Sequence, residues 1–277
     1  MLKNFEHNLY ACGKKSLPES VTVADVEYQL EKIFKHDFFA ATALYKAQKQ
    51  TDTSDKNHAG VILKLQRQHG FLFVPMAWLG RLTCRHETAI LDYLNQIPNT
   101  PNLLVRYGKY GFIYEYVEGV TLDDTPDLPQ DFFDKLLELV RKVHQRDIIY
   151  LDMNKRGNII LGDDGNPHLI DFQISLHISN KPWILRPILK YIRRMGQAAD
   201  IYHICKHKRK LSPKFLRPHE YVISRRKSLF IKIHRIITTP ITRLRRNLLK
   251  YFYTKGMMAK EENMHYSPEN DPKRFMK

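Results

Sequence analysis

An acid and an amide stand six residues apart in the stretch YLDMNKRGNIIL (150–161), just ahead of an apolar run. Asp152 could take a proton from an attacking hydroxyl, and Asn158 could offer its amide oxygen to a metal ion. A second acid, Asp171, follows in the short motif LIDFQ. Carboxylate and amide oxygens on short polar loops suit a hard cation such as Mg²⁺.

Two further charged residues lie on apolar elements. In AGVILKLQRQ (59–68), the alternation of a strand places Lys64 on the face opposite the larger apolar set. Between 81 and 97 the apolar residues recur at helical spacing, and Glu87 falls on their stripe. A carboxylate on a buried stripe needs a partner, because an unpaired buried charge is costly.

The elements that must position these residues show both strand and helix patterns. The polar stretch TDTSDKNH separates two strand-like segments, as in a hairpin with a long loop. From about residue 181 helical patterns dominate, interrupted by Pro182, Pro187, Pro213, Pro218 and Pro240. The strand-like segments are 36–48, 59–68 and 112–119, a capped amphipathic helix covers 125–145, and 147–173 reads as strand, loop, strand, turn and strand.

Composition restricts the class of protein. The 277 residues, 43% of them hydrophobic, suffice for one large core or for two lobes that share a cleft. The cysteines, Cys12, Cys84 and Cys205, are odd in number and far apart, so neither a disulfide framework nor a zinc site is predicted. Residues 1–20 lack the apolar core of a signal peptide, and no stretch approaches the roughly 20 apolar residues that span a bilayer. We therefore expect a cytoplasmic protein.

The net charge of +16 is concentrated in one segment. Residues 177–260 carry 22 Lys and Arg against only Asp200 and Glu220. Such a field attracts anionic lipid headgroups, phosphorylated glycolipids or nucleic acid, although a solvated basic face is the simpler interpretation of any basic run. The near absence of acids favours a partner here. Aromatic residues such as Tyr191 form no recognisable RNA-binding module, so nucleic acid is the less favoured ligand.

Taken in chain order, Lys64, Glu87, Asp152, Asn158 and Asp171 resemble the signature residues of the protein-kinase-like superfamily. VILK resembles the strand lysine motif, the loop opened above resembles the catalytic loop HRDLxxxN, and DFQ resembles the metal-binding DFG motif. Each fragment alone would mean little, but five roles in the right order are hard to obtain by chance.

The resemblance implies a role for each residue in the transfer of a phosphoryl group from ATP. Lys64, held by Glu87, would contact the α and β phosphates, and Asp152 would orient the attacking hydroxyl. Asn158 and Asp171 would bind Mg²⁺. In place of a glycine-rich loop, small residues would cover the phosphates with their backbone amides. The cofactor-contacting residues implied in this way are Lys64, Ala40, Ala41, Thr42 and Glu115.

Two further residues match supporting positions of the family. His144 stands eight residues before Asp152, where such a histidine serves packing and loop support rather than chemistry. Asp200, in AADIYHICKH, matches an acid on a later helix that hydrogen bonds to the backbone of the catalytic loop.

The catalytic loop departs from the family pattern. Tyr150 and Leu151 replace its histidine and arginine, which argues against control by a phosphorylated activation loop. The amide follows the acid by six positions rather than five, so the loop must bulge by one residue, with Gly157 as the permissive backbone position. Asn154 is therefore a rival metal ligand. The chain also lacks the glycine of DFG and an APE motif, and it is similar in this to compact atypical kinases, namely RIO-type kinases and bacterial kinases of lipopolysaccharide core sugars.

The resemblance implies an α+β, two-lobed protein-kinase-like fold, with a small β-rich N-lobe, a short mainly helical C-lobe and a basic helical C-terminal extension. The expected ranges are an N-terminal segment at 1–30, the N-lobe at 31–118, the C-lobe at 119–225 and the extension at 226–277.

We expect an ATP- and Mg²⁺-dependent kinase whose acceptor is a hydroxyl, either of a protein Ser or Thr or of a lipopolysaccharide or other glycolipid sugar. The basic segment 181–255 would hold the enzyme on the anionic inner face of the cytoplasmic membrane at about 1 kcal/mol per nearby Lys or Arg. The alternative is a pseudokinase scaffold that binds nucleotide or an anionic partner without turnover, and the altered YLD and DFQ motifs motivate it.

Overall fold

The computed structural model describes residues 10–47, 59–71, 74–125, 127–179 and 182–226, with the single positions 240, 243, 247 and 251. The chain divides into two compact units. The first contains residues 1–88, 103–116 and 240–277, and the second contains residues 89–102 and 117–239.

A six-stranded antiparallel sheet forms the first unit. Its strands are β1 (Ser20–Val23), β2 (Val26–His36), β3 (Ala40–Ala47), β4 (Gly60–Gln66), β5 (Leu103–Tyr107) and β6 (Gly111–Glu115), in the spatial order β1-β2-β3-β4-β6-β5. The two strands expected at 36–48 and 59–68 are therefore confirmed as antiparallel neighbours, with Thr42 paired to Lys64. The sheet begins at Ser20, inside the range 1–30 that the sequence assigned to a separate segment, because β1 and β2 form a hairpin whose apolar residues enter the core.

Strand β4 is buried along its whole length. One face carries Val61, Leu63 and Leu65 into a core shared with β3 and Ile113 of β6, as the alternation predicted. The opposite face, with Lys64, is buried as well. A polar side chain on that face must therefore find its hydrogen-bond partner inside the protein.

Helix α1 (Ala77–Leu94) replaces the helix expected over 81–97. It ends before Ile97 because Gln96 adopts a left-handed backbone conformation with φ of 70°. Its apolar stripe, Ile90, Leu91 and Leu94, is buried as predicted.

The second unit is mainly helical. It contains α2 (Phe132–Gln145), α3 (Arg186–Leu211), α4 (Pro218–Arg225) and short strands that form a three-stranded and a two-stranded sheet. These strands are β7 (Gly119–Thr121), β8 (Ile148–Ile149), β9 (Ile159–Gly162), β10 (Pro167–Leu169) and β11 (Leu176–His177). The order strand, loop, strand, turn, strand expected over 147–173 is confirmed by β8, β9 and β10.

The helices of the second unit follow from local sequence rules. The predicted apolar set of α2 is buried, from Phe132 to Val143. Pro187 and Pro218 do not break helices but occupy the first turns of α3 and α4, where a missing N–H costs nothing. Gly196 lets α3 lie close to β8, since a Cβ there would meet Ile149 Cδ1 at 2.6 Å.

The α+β class predicted from the sequence is confirmed. Within the described ranges, every helix is too short or too polar to cross a membrane. The helical C-terminal extension expected at 226–277 lies almost entirely outside the described residues.

Candidate active site

A buried ion pair lies in the first unit between β4 and α1. Lys64 Nζ is 2.6 Å from Glu87 Oε1, and the two side chains are 6% and 3% exposed. The second carboxylate oxygen of Glu87 accepts a hydrogen bond of 2.8 Å from Gln66 Nε2. The partner that the buried glutamate required is therefore Lys64, and both oxygens of the carboxylate are engaged.

Gln66 is a residue of this cluster that the sequence analysis missed. The signal was present in the strand alternation, since Gln66 follows Lys64 by two positions and shares its face. Its side chain is fully buried, and its contact with Glu87 fixes the carboxylate in one orientation toward the lysine. This arrangement fixes the position of the Lys64 ammonium group, so the group would not have to change conformation to contact a phosphate.

The small residues that were expected to cover phosphates lie in strand β3. Ala41 and Thr42 lie inside β3, which pairs with β2 on one side and β4 on the other. In the turn before β3, the amides of Phe39 and Ala40 donate to Asp37 Oδ1 at 2.9 and 3.1 Å. A carboxylate therefore already binds these amides, and Glu115 stands at the end of β6, paired with Val61.

In the second unit, the backbone just before Asp152 is held by an acid on α3. Asp200 accepts hydrogen bonds from the amides of Tyr150 and Leu151, each at 2.9 Å, and lies 3.0 Å from His144 Nε2. Asp200 is 1% exposed. The supporting roles expected of Asp200 and His144 are therefore confirmed, and the loop is anchored from behind by one buried carboxylate.

A strained turn lies at Leu151, just before Asp152 and outside the interval 152–158 in which the sequence predicted a bulge. Leu151 has φ of 65°, and the amide of Asp152 donates to the carbonyl of Tyr150 at 2.9 Å. This is a γ-turn of the rare, strained positive-φ kind. Gly157 was wrong as the permissive position, because it lies in a 3₁₀ turn (Arg156–Asn158), and its φ is not positive.

The Asp152 carboxylate accepts hydrogen bonds from two side chains of its own loop, a lysine ammonium group and an asparagine amide. Its Oδ2 accepts hydrogen bonds from Lys155 Nζ at 2.7 Å and from Asn158 Nδ2 at 2.9 Å. Because Asn158 uses its Nδ2 on Asp152, its oxygen is the atom left to act as a ligand. Lys155 was not singled out from the sequence, although it stands in the same polar stretch as the acid.

The rival ligand Asn154 points toward another element. Its Oδ1 accepts a hydrogen bond of 2.6 Å from Lys206 of α3. One residue earlier, the carbonyl of Met153 lies 2.9 Å from His207 Nε2, also on α3. Helix α3 therefore supports the loop along its length, and the amide oxygen that remains beside Asp152 is that of Asn158.

Tyr150, which stands where the motif HRD has its histidine, has a structural role. Its phenol donates to the carbonyl of Ile170, directly before Asp171, and its ring packs edge-on against Phe172. The amide of Ile170 donates in turn to the carbonyl of Asn158 at 3.0 Å. The loop and the DFQ segment are thus tied together, and Asp171 itself has a left-handed backbone with φ of 59°.

The electrostatics of the loop favour a bound cation. Burial raises the pKa of Asp152 above its ordinary value, and the negative charge of Asp171 also raises it, while Lys155 and Asn158 act in the opposite direction. The pKa of the buried Tyr150 phenol is raised well above its ordinary value by desolvation and then by the surrounding aspartates. Two carboxylates that repel one another would be relieved by a divalent cation.

The ligands present fit Mg²⁺ bound together with phosphate. Asn158 and Asp171 supply the hard oxygen donors that Mg²⁺ prefers, and Mg²⁺ commonly uses one or two protein carboxylates while substrate phosphates and water complete its shell. Across the described ranges, no cluster of three or more His, Cys, Asp or Glu could hold a metal on its own.

Comparison with known families bears mainly on the second unit. Residues 98–205 match the model of the family described as lipopolysaccharide core biosynthesis protein (WaaY). This part of the chain resembles the kinase-like WaaY family. No curated protein matches the chain.

The WaaY match covers less than half of the chain but includes the whole of the loop described above. It includes Asp152, Asn158, Asp171 and the anchoring Asp200, whereas Lys64 and Glu87 lie before it. The match supports the resemblance to lipopolysaccharide core kinases, and the comparisons add no support for the RIO-type resemblance.

Proposed function

We propose that the chain is an ATP-dependent kinase that transfers the γ-phosphoryl group to a sugar hydroxyl of lipopolysaccharide core or a related glycolipid. One observation carries the proposal: Asp152 sits on an anchored loop with Asn158 Nδ2 at 2.9 Å and the charge of Asp171 close by, inside the segment that resembles WaaY. This is the combination of base and metal ligands that phosphoryl transfer requires.

Asp152 would act on the acceptor hydroxyl. As the acceptor oxygen forms its bond to the γ-phosphorus, the bond from that phosphorus to the β,γ-bridging oxygen breaks, and ADP leaves. The hydroxyl proton passes to the Asp152 carboxylate, whose raised pKa makes it a better base than an exposed aspartate. Lys155, which donates to the same carboxylate, would contact the anionic group under transfer.

Asn158 and Asp171 would hold the Mg²⁺ that comes with ATP, and this ion supplies neutralisation of the phosphate charge. In the first unit, Lys64 would bind the α and β phosphates, with its ammonium group held by Glu87. The β-rich first unit and the mainly helical second unit have the compositions expected of the two lobes of a kinase-like fold.

The choice of a sugar acceptor rests on the family match and on the loop. The resemblance to a lipopolysaccharide core biosynthesis family names the pathway in which such an acceptor occurs. The loss of the HRD arginine at Leu151 fits an enzyme that needs no phosphorylated activation loop, which is the control typical of kinases acting on proteins.

The test is phosphotransfer from γ-labelled ATP to a lipopolysaccharide core oligosaccharide freed of its phosphates, with and without Mg²⁺. We expect label in the oligosaccharide with the natural chain and a loss of at least a thousandfold with Asp152→Asn. Asp163→Asn removes an exposed acid from the neighbouring turn and serves as the matched control, which we expect to leave the rate unchanged.

Three outcomes would each decide against part of the proposal. Label in protein serine or threonine, with none in sugar, would assign the chain to protein kinases. Binding of ATP with no labelled product from any acceptor would favour the pseudokinase scaffold. Equal turnover by Asp152→Asn and the natural chain would remove Asp152 from the chemistry.

A further inference from the structure

Large apolar side chains are exposed together where α3 begins. Trp183 is 80% exposed, Ile184 69%, Ile188 59% and Tyr191 63%. We call this set, completed by Leu185 and Ile192, the α3 apolar surface. Contiguous exposed apolar side chains are uncommon on soluble proteins and mark surfaces that contact another apolar phase.

The same helix carries cations on a separate face. Ile188, Tyr191 and Ile192 follow the three- and four-residue spacing of one helix face. The exposed Arg186, Lys190 and Arg194 are spaced four apart and form a second face. An amphipathic helix with one apolar face and a basic polar face is the arrangement that lies in the interface of an anionic bilayer.

The remaining side of α3 holds the helix on its own unit. Gly196 lies against Ile149, and Arg193 Nη1 lies 2.6 Å from Asp147 Oδ1 and 3.0 Å from the carbonyl of Ile178. These contacts fix the rotation of the helix about its axis. The apolar surface and the three cations are therefore turned away from the packed side by the fold itself.

No acid on this segment offsets the cations. From Gln173 to Ala199 the sequence contains no Asp or Glu, and Asp147, the acid that packs against α3 here, is engaged by Arg193. The field around the apolar surface is therefore positive. A protein partner would need a matching acidic and apolar patch, whereas an anionic lipid surface offers both chemistries at every point.

We propose that the α3 apolar surface docks on an anionic lipid bilayer. Trp183 and Tyr191 would lie at the headgroup level, where amphipathic rings are favoured, and the isoleucines would enter the acyl boundary. Arg186, Lys190 and Arg194 would contact lipid phosphates. The inference rests on the proposed function only for the benefit of docking, which would bring the enzyme to a glycolipid acceptor in the same membrane surface.

The two tryptophans of the chain allow a direct test. Trp78 is 57% exposed and belongs to α1, so Trp78→Phe leaves Trp183 as the single tryptophan, which can be excited selectively, in a folded protein. The full-length variant is mixed with vesicles of phosphatidylcholine alone or with added phosphatidylglycerol. We expect emission to move to shorter wavelength with the anionic vesicles and to be quenched by brominated acyl chains.

Two sets of substitutions separate the apolar and the charged contribution. Ile188→Ser with Tyr191→Ser is expected to abolish the shift of Trp183. Replacing Arg186, Lys190 and Arg194 by Gln is expected to lower the apparent vesicle affinity about fivefold for each cation removed. Leu82→Ser, at a 56% exposed apolar position on α1, is the matched control and is expected to change nothing.

Specific outcomes would overturn the inference. An unchanged Trp183 emission on vesicles that nevertheless sediment the protein would show that another part of the chain binds lipid. Equal shifts of the Trp183 emission with neutral and anionic vesicles would show that the cations do not contribute to binding. A shift of this emission with RNA but not with vesicles would assign the surface to nucleic acid. The vesicle assay uses neither ATP nor an acceptor, so its result can be interpreted even if the chain shows no phosphotransfer.

Discussion

The carboxylate of Asp200 accepts a hydrogen bond of 2.9 Å from the backbone amide of Tyr150, which lies 50 residues earlier in the chain. The same side chain accepts the amide of Leu151. The strained turn that carries Asp152 is therefore maintained by one buried acid on α3. A side chain on α3 can in this way determine where the Asp152 carboxylate lies.

The first prediction concerns this anchor. Asp200→Asn turns one acceptor oxygen into a donor that faces another donor, so we expect a loss of about 1–3 kcal/mol in the free energy of unfolding. We also expect kcat to fall more than tenfold while KM for ATP changes little. Urea unfolding and steady-state kinetics measure the two effects. An unchanged kcat in a folded Asp200→Asn protein would contradict the positioning role.

The second prediction concerns the ion pair of the first unit. Lys64→Met removes the cation that is paired with the buried Glu87 carboxylate, and we expect it to cost about 3–5 kcal/mol of stability. The double variant Lys64→Met with Glu87→Leu removes the buried carboxylate as well and is expected to recover much of that loss without recovering phosphotransfer. Urea unfolding of the four proteins gives the coupling energy. Additive effects of the two substitutions would show that the pair is not coupled.

The third prediction concerns the protonation of Asp152. Lys155 lowers the pKa of this buried carboxyl, both by its charge and by its hydrogen bond. Because the base must be ionised, we expect the acid limb of the kcat/KM profile to move to higher pH in Lys155→Met. Lys155→Arg, which keeps the charge, is the matched control. An acid limb that stays in place in Lys155→Met would show that another group limits the rate at low pH.

The fourth prediction concerns acid stability. Burial lowers the pKa of His207 from 6.5 to about 4. Between these values the unfolded chain binds a proton that the folded chain does not, so stability falls as the pH drops from 6.5 and levels off near 4. We expect this group to account for a loss of about 3 kcal/mol at the acid end of the range.

His207→Gln tests the assignment, because a glutamine amide can still donate to the carbonyl of Met153 while carrying no titrating group. Unfolding free energies of the two proteins at pH 7 and at pH 4.5 are the measurement. We expect the glutamine variant to lose less stability on acidification. An identical pH dependence of the two proteins would show that His207 does not titrate as its burial implies.

The sequence predicted the pairing of Glu87 with Lys64 better than the backbone of the loop at Asp152. Lys64 and Glu87 could be placed from strand and helix periodicity, because each period fixes which side chains share a face. The match of Asp200 to the loop depended on motif order alone. Its two hydrogen bonds could not be derived, since they join segments about 50 residues apart through a fold that periodicity does not define.

The conformation of the loop escaped the sequence analysis for a physical reason. Glycine is the usual residue at a positive φ, so Gly157 was the natural position for the bulge. The positive φ lies at Leu151, before Asp152, where Asp200 binds the amide of Leu151 and the carbonyl of Tyr150 accepts a hydrogen bond from the amide of Asp152. Side-chain contacts formed from another helix override the local preference of the residue.

Lys208 is 2% exposed and lies 2.9 Å from both Asp134 of α2 and Glu220 of α4. Asp134 precedes it by 74 residues, while Glu220 follows it by 12. During synthesis, the contact of Lys208 with Glu220 cannot form until the start of α4 has emerged from the ribosome. The packing of the helical unit is therefore complete only once that segment has been made.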